Sequence, residues 1–167
     1  PVSATISAFA AQWNGMASAK FIAALLKKGV KVRYAEQPFS AQGINFEKGT
    51  LIITRTSNTS FGNTLEEIIK EVAQSSGQRY FPLQSGFVEK GFDFGSDRVR
   101  IIHAPKITLL AGEGVSSLGM GEIWHFFDAQ LNYPINIVWV NDLNKNVLKE
   151  TDVLIMPDGN YRFLSDK

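Results

Sequence analysis

The sequence predicts an α/β fold with mostly parallel sheets flanked by helices on both faces. Short apolar runs alternate with amphipathic helical segments along the chain of 167 residues, an order typical of parallel sheets covered by helices. The apolar run Thr50–Thr54 is typical of a strand buried on both faces. Apolar residues make up 44% and charged residues 20% of the chain. These values are typical of globular proteins and exclude a disordered, collagen-like or coiled-coil chain.

The first half of the chain is predicted to contain two helices among several strands. Apolar residues at helical spacing predict one helix over Met16–Lys28, ending at Gly29. A second helix begins at Asn63 or Thr64, carries acidic residues in its first turn and ends at Gly77. Strands are predicted at Thr5–Ala10, Val30–Ala35, Ile44–Phe46, Thr50–Thr54 and Val99–Ile102, and an ordered loop at Ser85–Ser96.

The second half is predicted to repeat this order of elements. A strand at Ile107–Leu110 leads through a glycine-containing turn into a helix that Ser116 or Ser117 caps and that runs to about Leu131. Its apolar positions predict an inward face made of Ile123, Phe126, Phe127 and Leu131. Two further strands are predicted at Ile135–Val140 and Val153–Met156.

Ala104-Pro105 marks the boundary between the halves, because the residue before a proline is biased away from helical backbone. We therefore expect an α/β lobe over residues 1–104 and a second, incomplete domain over residues 105–167. Placing Leu51-Ile52-Ile53 over Val153-Leu154-Ile155 also places Asn58 over Asn160. Common α/β topology explains this match at least as well as duplication.

The last predicted strand, Val153–Met156, lies close to the end of the sequence. A parallel sheet normally continues beyond a buried strand of this kind with a helix and another strand, so we expect this chain to be an excised piece of a longer protein.

Charge and composition exclude several classes of function. The chain has 17 Lys and Arg against 16 Asp and Glu, so its net charge offers no strong field for nucleic acid or anionic lipid, although the local charge pattern could still matter. We expect no nucleic-acid partner. The absence of Cys from the sequence excludes thiol catalysis, disulfide scaffolds and Cys-based zinc sites within this chain. Its apolar runs are shorter than the roughly 20 residues that a membrane-spanning helix needs.

The turn after the Ile107–Leu110 strand is the best candidate for a ligand site in this sequence. Gly112, Glu113 and Gly114 lie between that strand and the helix that Ser116 or Ser117 caps. Ligands gather at the carboxyl ends of strands in open α/β sheets, and the free amides of a helix start attract anions. However, the dinucleotide and P-loop glycine patterns are missing, and Glu113 places a negative charge where a phosphate would bind. A tight turn that needs glycine's backbone freedom is the favoured alternative.

Neither a metal site nor a catalytic residue is predicted. His125 and Asp128 are three residues apart on a predicted helix and could share one face. Zinc needs three or four protein ligands, and the sequence supplies no third His near them and no Cys. His103 precedes Ala104-Pro105 and reads as a loop residue. There is no G-x-S-x-G elbow, and Ser116 and Ser117 read as helix caps rather than nucleophiles.

Three stretches resemble the C-terminal, non-peptidase region of bacterial zinc carboxypeptidases of the carboxypeptidase A type: Ser85–Ser96 (SGFVEKGFDFGS), Leu109–Pro134 and Asp152–Tyr161. In that family an upstream domain holds zinc through a His-x-x-Glu pair and a distant His. Lys106 and Asp128 stand at the Glu position after His103 and His125. The resemblance therefore implies that the peptidase site and its zinc lie outside this chain, and that the protein is periplasmic or secreted.

From Lys106 onward the sequence also looks like the start of a class I glutamine-amidotransferase-like domain, which is flavodoxin-like. In true amidotransferases a Pro-Gly-Gly turn supplies an oxyanion hole, and a nucleophilic Cys follows the next strand. The matching turn here is Pro157-Asp158-Gly159, and the nucleophile position would lie beyond Lys167. The resemblance implies that Gly159 is a relic of an oxyanion hole, without a nucleophile to serve.

The resemblance and the missing catalytic groups together predict a non-catalytic accessory segment of a zinc carboxypeptidase-like protein. Its partner would be the peptidase domain of the parent protein, which it supports or helps to position on peptide substrates. One alternative is a module that binds a small ligand or anion at the 112–117 turn. The other alternative is part of an active amidotransferase or hydrolase whose nucleophile lies beyond residue 167.

Overall fold

A computed structural model describes residues 6–162 and residue 164. The chain has a mixed α/β fold and divides into two compact units between His103 and Ala104. Thr5, the first residue of the first predicted strand, lies outside the described residues. None of the helices in the described part of the chain is both long and apolar enough to cross a membrane.

In the first unit the described residues form two α-helices, seven strands and a short 3-10 helix at Thr59–Phe61, most of the α-helices and strands close to their predicted positions. The helices are α1 (Gly15–Lys27) and α2 (Thr64–Ser76). The strands are β1 (Ala8–Ala11), β2 (Val32–Ala35), β3 (Phe39–Ala41), β4 (Ile44–Phe46), β5 (Leu51–Thr54), β6 (Phe81–Leu83) and β7 (Val99–Ile102).

The main sheet of this unit is antiparallel, so the prediction of mostly parallel sheets is wrong here. Its five strands lie in the order β6-β1-β5-β2-β7, and each described neighbour pair runs antiparallel. β1 and β2 are joined through α1 and run in the same direction on either side of β5. β5 and β6 are likewise joined through α2 and lie on either side of β1. This is the split β-α-β arrangement, in which helical crossovers join strands that are not neighbours.

The two faces of this sheet are covered differently. Alternate residues such as Phe9 and Ile53 face the helices and pack with Phe21 of α1 and Ile69 of α2. The other face is covered by the β3–β4 hairpin and by Phe94, so the predicted layer of helices on both faces is wrong for this unit. On that face the Phe39 ring stacks on Phe46, with centroids 4.8 Å apart, and meets the edge of Phe94 at 5.4 Å.

The second unit contains a small parallel sheet. Its strands are β8 (Ile107–Ala111), β9 (Asn136–Trp139) and β10 (Val153–Ile155), in the order β10-β8-β9. Both neighbour pairs run parallel, so the predicted parallel pairing is confirmed for this sheet. The helices are α3 (Ser117–His125), which continues as a π-helical turn over Phe126–Leu131, and the short α4 (Lys145–Lys149).

Side chains are buried on both faces of this sheet, and the cluster around Leu110 lies on one of them. Leu110 of β8 packs there with Val138, Leu154, Val140 and Val147. The opposite face contains Leu109 and, in register with it, Ile137 of β9 and Ile155 of β10. Every residue of α3 and its π-helical extension is exposed or half-buried. The predicted inward residues Ile123, Phe126, Phe127 and Leu131 are thus only half-buried.

Candidate functional site

The candidate turn lies where the three parallel strands end. Gly112, Glu113 and Gly114 follow β8, and the chain then enters α3. The segment after β10 returns to this turn, where Val115 and Gly159 form an antiparallel bridge. The structure therefore brings together two features that the sequence predicted separately, the 112–117 turn and the position that resembles an oxyanion-hole relic.

Backbone hydrogen bonds close this bridge on both sides. The Ser116 amide donates to the Asp158 carbonyl oxygen at 2.8 Å, and the Asn160 amide donates to the Gly114 carbonyl oxygen at 2.8 Å. Within the turn, the Val115 amide donates to the Gly112 carbonyl oxygen at 3.1 Å. These amides already have partners inside the protein, so an anion could reach them only by displacing backbone hydrogen bonds.

The three glycines of the site are explained by close backbone approach. A Cβ atom at Gly114 would lie 2.8 Å from the Asn160 carbonyl oxygen, and one at Gly159 would lie 2.5 Å from the Gly114 carbonyl oxygen. A Cβ atom at Gly112 would meet the Trp139 ring at 2.8 Å. Gly112 and Gly114 also have positive φ angles of 112° and 84°, which favour glycine. Each glycine therefore has a packing role that needs no ligand.

The two candidate serines lie at the start of α3, and Ser116 is its cap. The Ser116 hydroxyl oxygen accepts a hydrogen bond from the Gly119 amide at 3.2 Å, as expected for a capping serine. A Cβ atom at Gly119 would be in ordinary van der Waals contact with the Ser116 hydroxyl oxygen, at 3.5 Å. Ser117 is the first residue of the helix and is exposed.

A surface cleft of about 280 Å³ lies beside the bridge. Each strand of the sheet contributes residues to it from the loop or turn that follows. Glu113 comes after β8, Asn141 after β9, and Asn160 and Arg162 after β10. This is the edge at which open α/β sheets bind their ligands. Of the residues that line this cleft, only those following β8 were predicted from the sequence. Applying the same strand-end rule to β9 and β10 would have found Asn141, Asn160 and Arg162.

The tyrosine next to the cleft is held in its neutral form. The Tyr161 hydroxyl donates a hydrogen bond to the Pro157 carbonyl oxygen at 2.6 Å. Burial, and then the nearby charge of Asp158, raise the pKa of Tyr161. Because an ionised phenolate is disfavoured there, Tyr161 is a poor general base at neutral pH and instead anchors the segment after β10.

The residues considered for a metal do not form a metal centre. His103, His125 and Asp128 are all exposed, and His125 ends α3. Within residues 6–162 and residue 164, no group of three or more His, Asp or Glu side chains could hold a metal ion. The zinc of the parent protein stays a prediction that depends on polypeptide outside this chain.

The chain was compared with protein-family models, with curated proteins and with solved structures, and none of these comparisons found a match.

Proposed function

We propose that this chain is a non-catalytic accessory segment of a zinc carboxypeptidase-like protein whose peptidase domain and zinc lie elsewhere in the polypeptide. The observation that carries the proposal is that three of the predicted site residues, Gly114, Ser116 and Gly159, are already engaged in the helix cap and the bridge. The Ser116 hydroxyl caps α3, the Ser116 and Asn160 amides close the bridge, and Gly114 and Gly159 allow the close backbone approach. Acyl transfer needs a nucleophile that is activated by a base and lies beside an oxyanion hole. These residues supply neither an activated nucleophile nor free amides for an oxyanion hole.

The strand order of the second unit supports the flavodoxin-like part of this proposal. When the strands of this sheet are numbered as they occur along the chain, their order across the sheet is second, first and third, that is β9-β8-β10. Flavodoxin-like sheets begin with this order and continue with further parallel strands beyond the third. In the proposed parent domain, the next strand would therefore pair with β10.

Exposed apolar residues of the second unit support a role in contacting another domain. Ile137, Trp139 and Val153 lie on the same face of the parallel sheet as Leu109, according to its register. Trp139 is 61% exposed, and the other two residues are also exposed. Ile137 and Trp139 lie two residues apart on β9, whereas Val153 lies on the opposite edge strand, with the buried Leu109 of β8 between them. A pair of exposed apolar side chains such as Ile137 and Trp139 supports an interaction site, and the proposed occupant is the peptidase domain of the parent, periplasmic or secreted protein.

The test compares the parent protein with and without residues 1–167. We expect the deletion to lower the melting temperature and the activity of the peptidase domain. The double variant Ile137→Ser/Trp139→Ser should reproduce part of this loss, because it removes apolar contact area without touching the core. Phe87→Ser is the matched control, since Phe87 is an exposed aromatic residue of the first unit. An unchanged melting temperature and activity after the deletion would contradict the proposal, as would peptide hydrolysis by the purified chain alone.

A second candidate function is the binding of a small ligand in the cleft at the strand ends. It is favoured by the contribution of all three strand-end segments to one cleft that contains both Glu113 and Arg162. Thermal shift against nucleotides, sugars and amino acids tests it. A ligand present at 100 times its Kd should add about 2.7 kcal/mol of stability. Asn141→Ala should reduce that gain, and an absence of any shift across the panel would reject this candidate.

A further inference from the structure

An arginine in the first unit has an incompletely satisfied guanidinium group. The Arg33 Nε atom is buried and has no hydrogen-bond partner among the described residues. Its Nη1 atom donates to the Val99 carbonyl oxygen at 3.0 Å. A buried donor without a partner costs about 1–3 kcal/mol, and such a group in a folded protein calls for an explanation.

Arg33 also differs from the neighbouring arginines in having no carboxylate partner. Arg98 and Arg100 both form ion pairs with Glu36, at 3.6 and 2.6 Å, and Arg55 pairs with Glu66 at 3.1 Å. Among the described residues, no carboxylate oxygen comes within 4.0 Å of Arg33. A partly buried arginine is usually paired, so the missing counter-charge points to an anion from outside the chain.

Arg33 lines two surface clefts that such an anion can enter. It lies on β2 between Ile52 of β5 and Ile101 of β7, on the sheet face opposite the helices. The β3–β4 hairpin and Phe94 cover part of this face. Two surface clefts of about 620 and 760 Å³ lie beside Arg33, and both are lined by Arg33, Gly95 and Ser96.

The walls of the first cleft provide further polar groups. Thr54, Thr56 and Ser57 contribute hydroxyl-bearing side chains, and Asp93 contributes a carboxylate. The Asp93 side chain is held in place by the Val88 amide, which donates to its Oδ1 atom at 2.9 Å. The cleft therefore offers one cation, one anion and several hydroxyls, and its balance of charge is close to zero.

We propose that this cleft binds a small carboxylate-bearing ligand through the side-chain edge of Arg33 formed by Nε and Nη2. With Nη1 engaged by Val99, this edge presents two parallel N–H groups that match the two oxygens of a carboxylate. Because Nε is buried without the ligand, binding in this proposal requires the guanidinium to turn toward the cleft, where the carboxylate becomes the missing partner of Nε. A single negative charge suits the single arginine, whereas Asp93 disfavours a doubly charged phosphate. This inference concerns the first unit and does not depend on the accessory role proposed above.

The experiment titrates the full chain with acetate, glycine and inorganic phosphate and follows two sets of signals by ¹H–¹⁵N NMR. These are the Arg Nε–H signals and, in every variant including Arg33→Lys, the backbone amide signals of Gly95 and Ser96, which line both clefts. We expect acetate and glycine to shift the Arg33 signal with saturation. The variant Arg33→Lys keeps the charge and the aliphatic stem but lacks the paired donors, and it should weaken binding by tenfold or more. If glycine binds more tightly than acetate, its ammonium group contacts the Asp93 carboxylate. The variant Asp93→Asn should then remove the difference in affinity between glycine and acetate.

Arg79→Gln is the matched control, because it removes one positive charge from a residue outside both clefts. It should leave carboxylate binding unchanged. If Arg79→Gln weakens binding as much as Arg33→Lys, the effect is nonspecific and the proposal is wrong. A saturable shift with phosphate but not with acetate would overturn the carboxylate assignment, and no shift with any of the three probes would overturn the site. Near-native NMR spectra of Arg33→Lys verify that the variant is folded.

Discussion

Two strands made almost entirely of aliphatic residues, β5 and β10, have very different surroundings. β5 reads Leu-Ile-Ile-Thr and all four of its residues are buried, whereas the three residues Val-Leu-Ile of β10 are exposed or half-buried. β5 is the central strand of its sheet and is covered on both faces. β10 is an edge strand that contributes only Leu154 to the core of its unit. Burial therefore depends on what covers the strand rather than on its apolar residues.

This comparison predicts where the stability of the chain resides. The first unit has buried clusters on both faces of its main sheet. In the described part of the second unit a small buried cluster surrounds Leu110, and Leu109 is buried on the opposite face of the sheet, while Leu118 is 73% exposed and Trp124 is exposed as well. Because apolar burial is the main stabilising contribution to folding, the first unit should be the more stable of the two.

The largest effect is expected from truncating matched isoleucines in the two strands. Ile53→Ala removes a fully buried side chain from β5 and should destabilise the first unit by about 2–5 kcal/mol. Ile155→Ala, at the equivalent position of β10, should cost clearly less because Ile155 is only half-buried. Hydrogen exchange, resolved by segment and measured at increasing urea concentrations, gives the free energy of unfolding of each of the two structural units separately. Equal losses of stability would show that the two strands are equally covered in solution and would contradict this prediction.

A second pair of matched residues, Asn58 and Asn160, should differ in the same direction. Asn58 is 2% exposed and makes three backbone hydrogen bonds, accepting from the Lys31 amide and donating to the Lys31 and Thr54 carbonyl oxygens. Asn58→Ala should cost about 2–3 kcal/mol, because buried backbone groups lose their partners. Asn160→Ala should stay within about 0.5 kcal/mol, as for most surface substitutions. Chemical denaturation of both variants tests this, and a similar cost for each would contradict it.

Local sequence signals predicted the helices better than the sheets. The apolar stripe and Gly77 predicted α2 to within one residue at each end, and Gly77 has the left-handed φ of +73° typical of this position. Strand direction was not predictable from the apolar run of β5, because burial on both faces also occurs in an antiparallel sheet with two covers. The short elements β3, β6 and α4 carried too few residues to show a period.

The candidate site was predictable in its parts but not in its assembly. Rules for strand ends and helix caps found the 112–117 turn and the Ser116 cap. The bridge between Val115 and Gly159 joins residues far apart in the chain, and no local pattern encodes such a pairing. Arg33 was missed for a similar reason, since one arginine within a short strand gives no sign of whether a carboxylate will lie beside it.

A smaller loss of stability is expected from substituting Gly159. The loss would show that this glycine is needed for backbone packing rather than as the relic of an oxyanion hole. Gly159→Ala places a methyl group against the Gly114 carbonyl oxygen, so we expect a loss of about 1–3 kcal/mol confined to the second unit. Gly121→Ala is the control, because nothing lies within 4 Å of the added Cβ atom and α3 should be unaffected or slightly stabilised. Thermal unfolding of both variants provides the measurement. A neutral Gly159→Ala would mean that the bridge is absent or loose in solution.

The smallest effect concerns pH and a tyrosine of the second unit. The Tyr133 hydroxyl donates to the Pro105 carbonyl oxygen at 2.9 Å, and burial, followed by the charge of Asp152, raises the pKa of Tyr133. In the unfolded chain Tyr133 ionises near its usual pKa of about 10. Its contribution to stability is therefore complete below that pH and is lost as the pH rises through the higher folded pKa. Tyr133→Phe should make the alkaline decline in the stability of the second unit shallower, measured by urea unfolding at a series of alkaline pH values. A decline as steep as in the unmodified protein would show that Tyr133 ionises in the folded chain as it does in water, and that even this contact of the second unit is open to solvent.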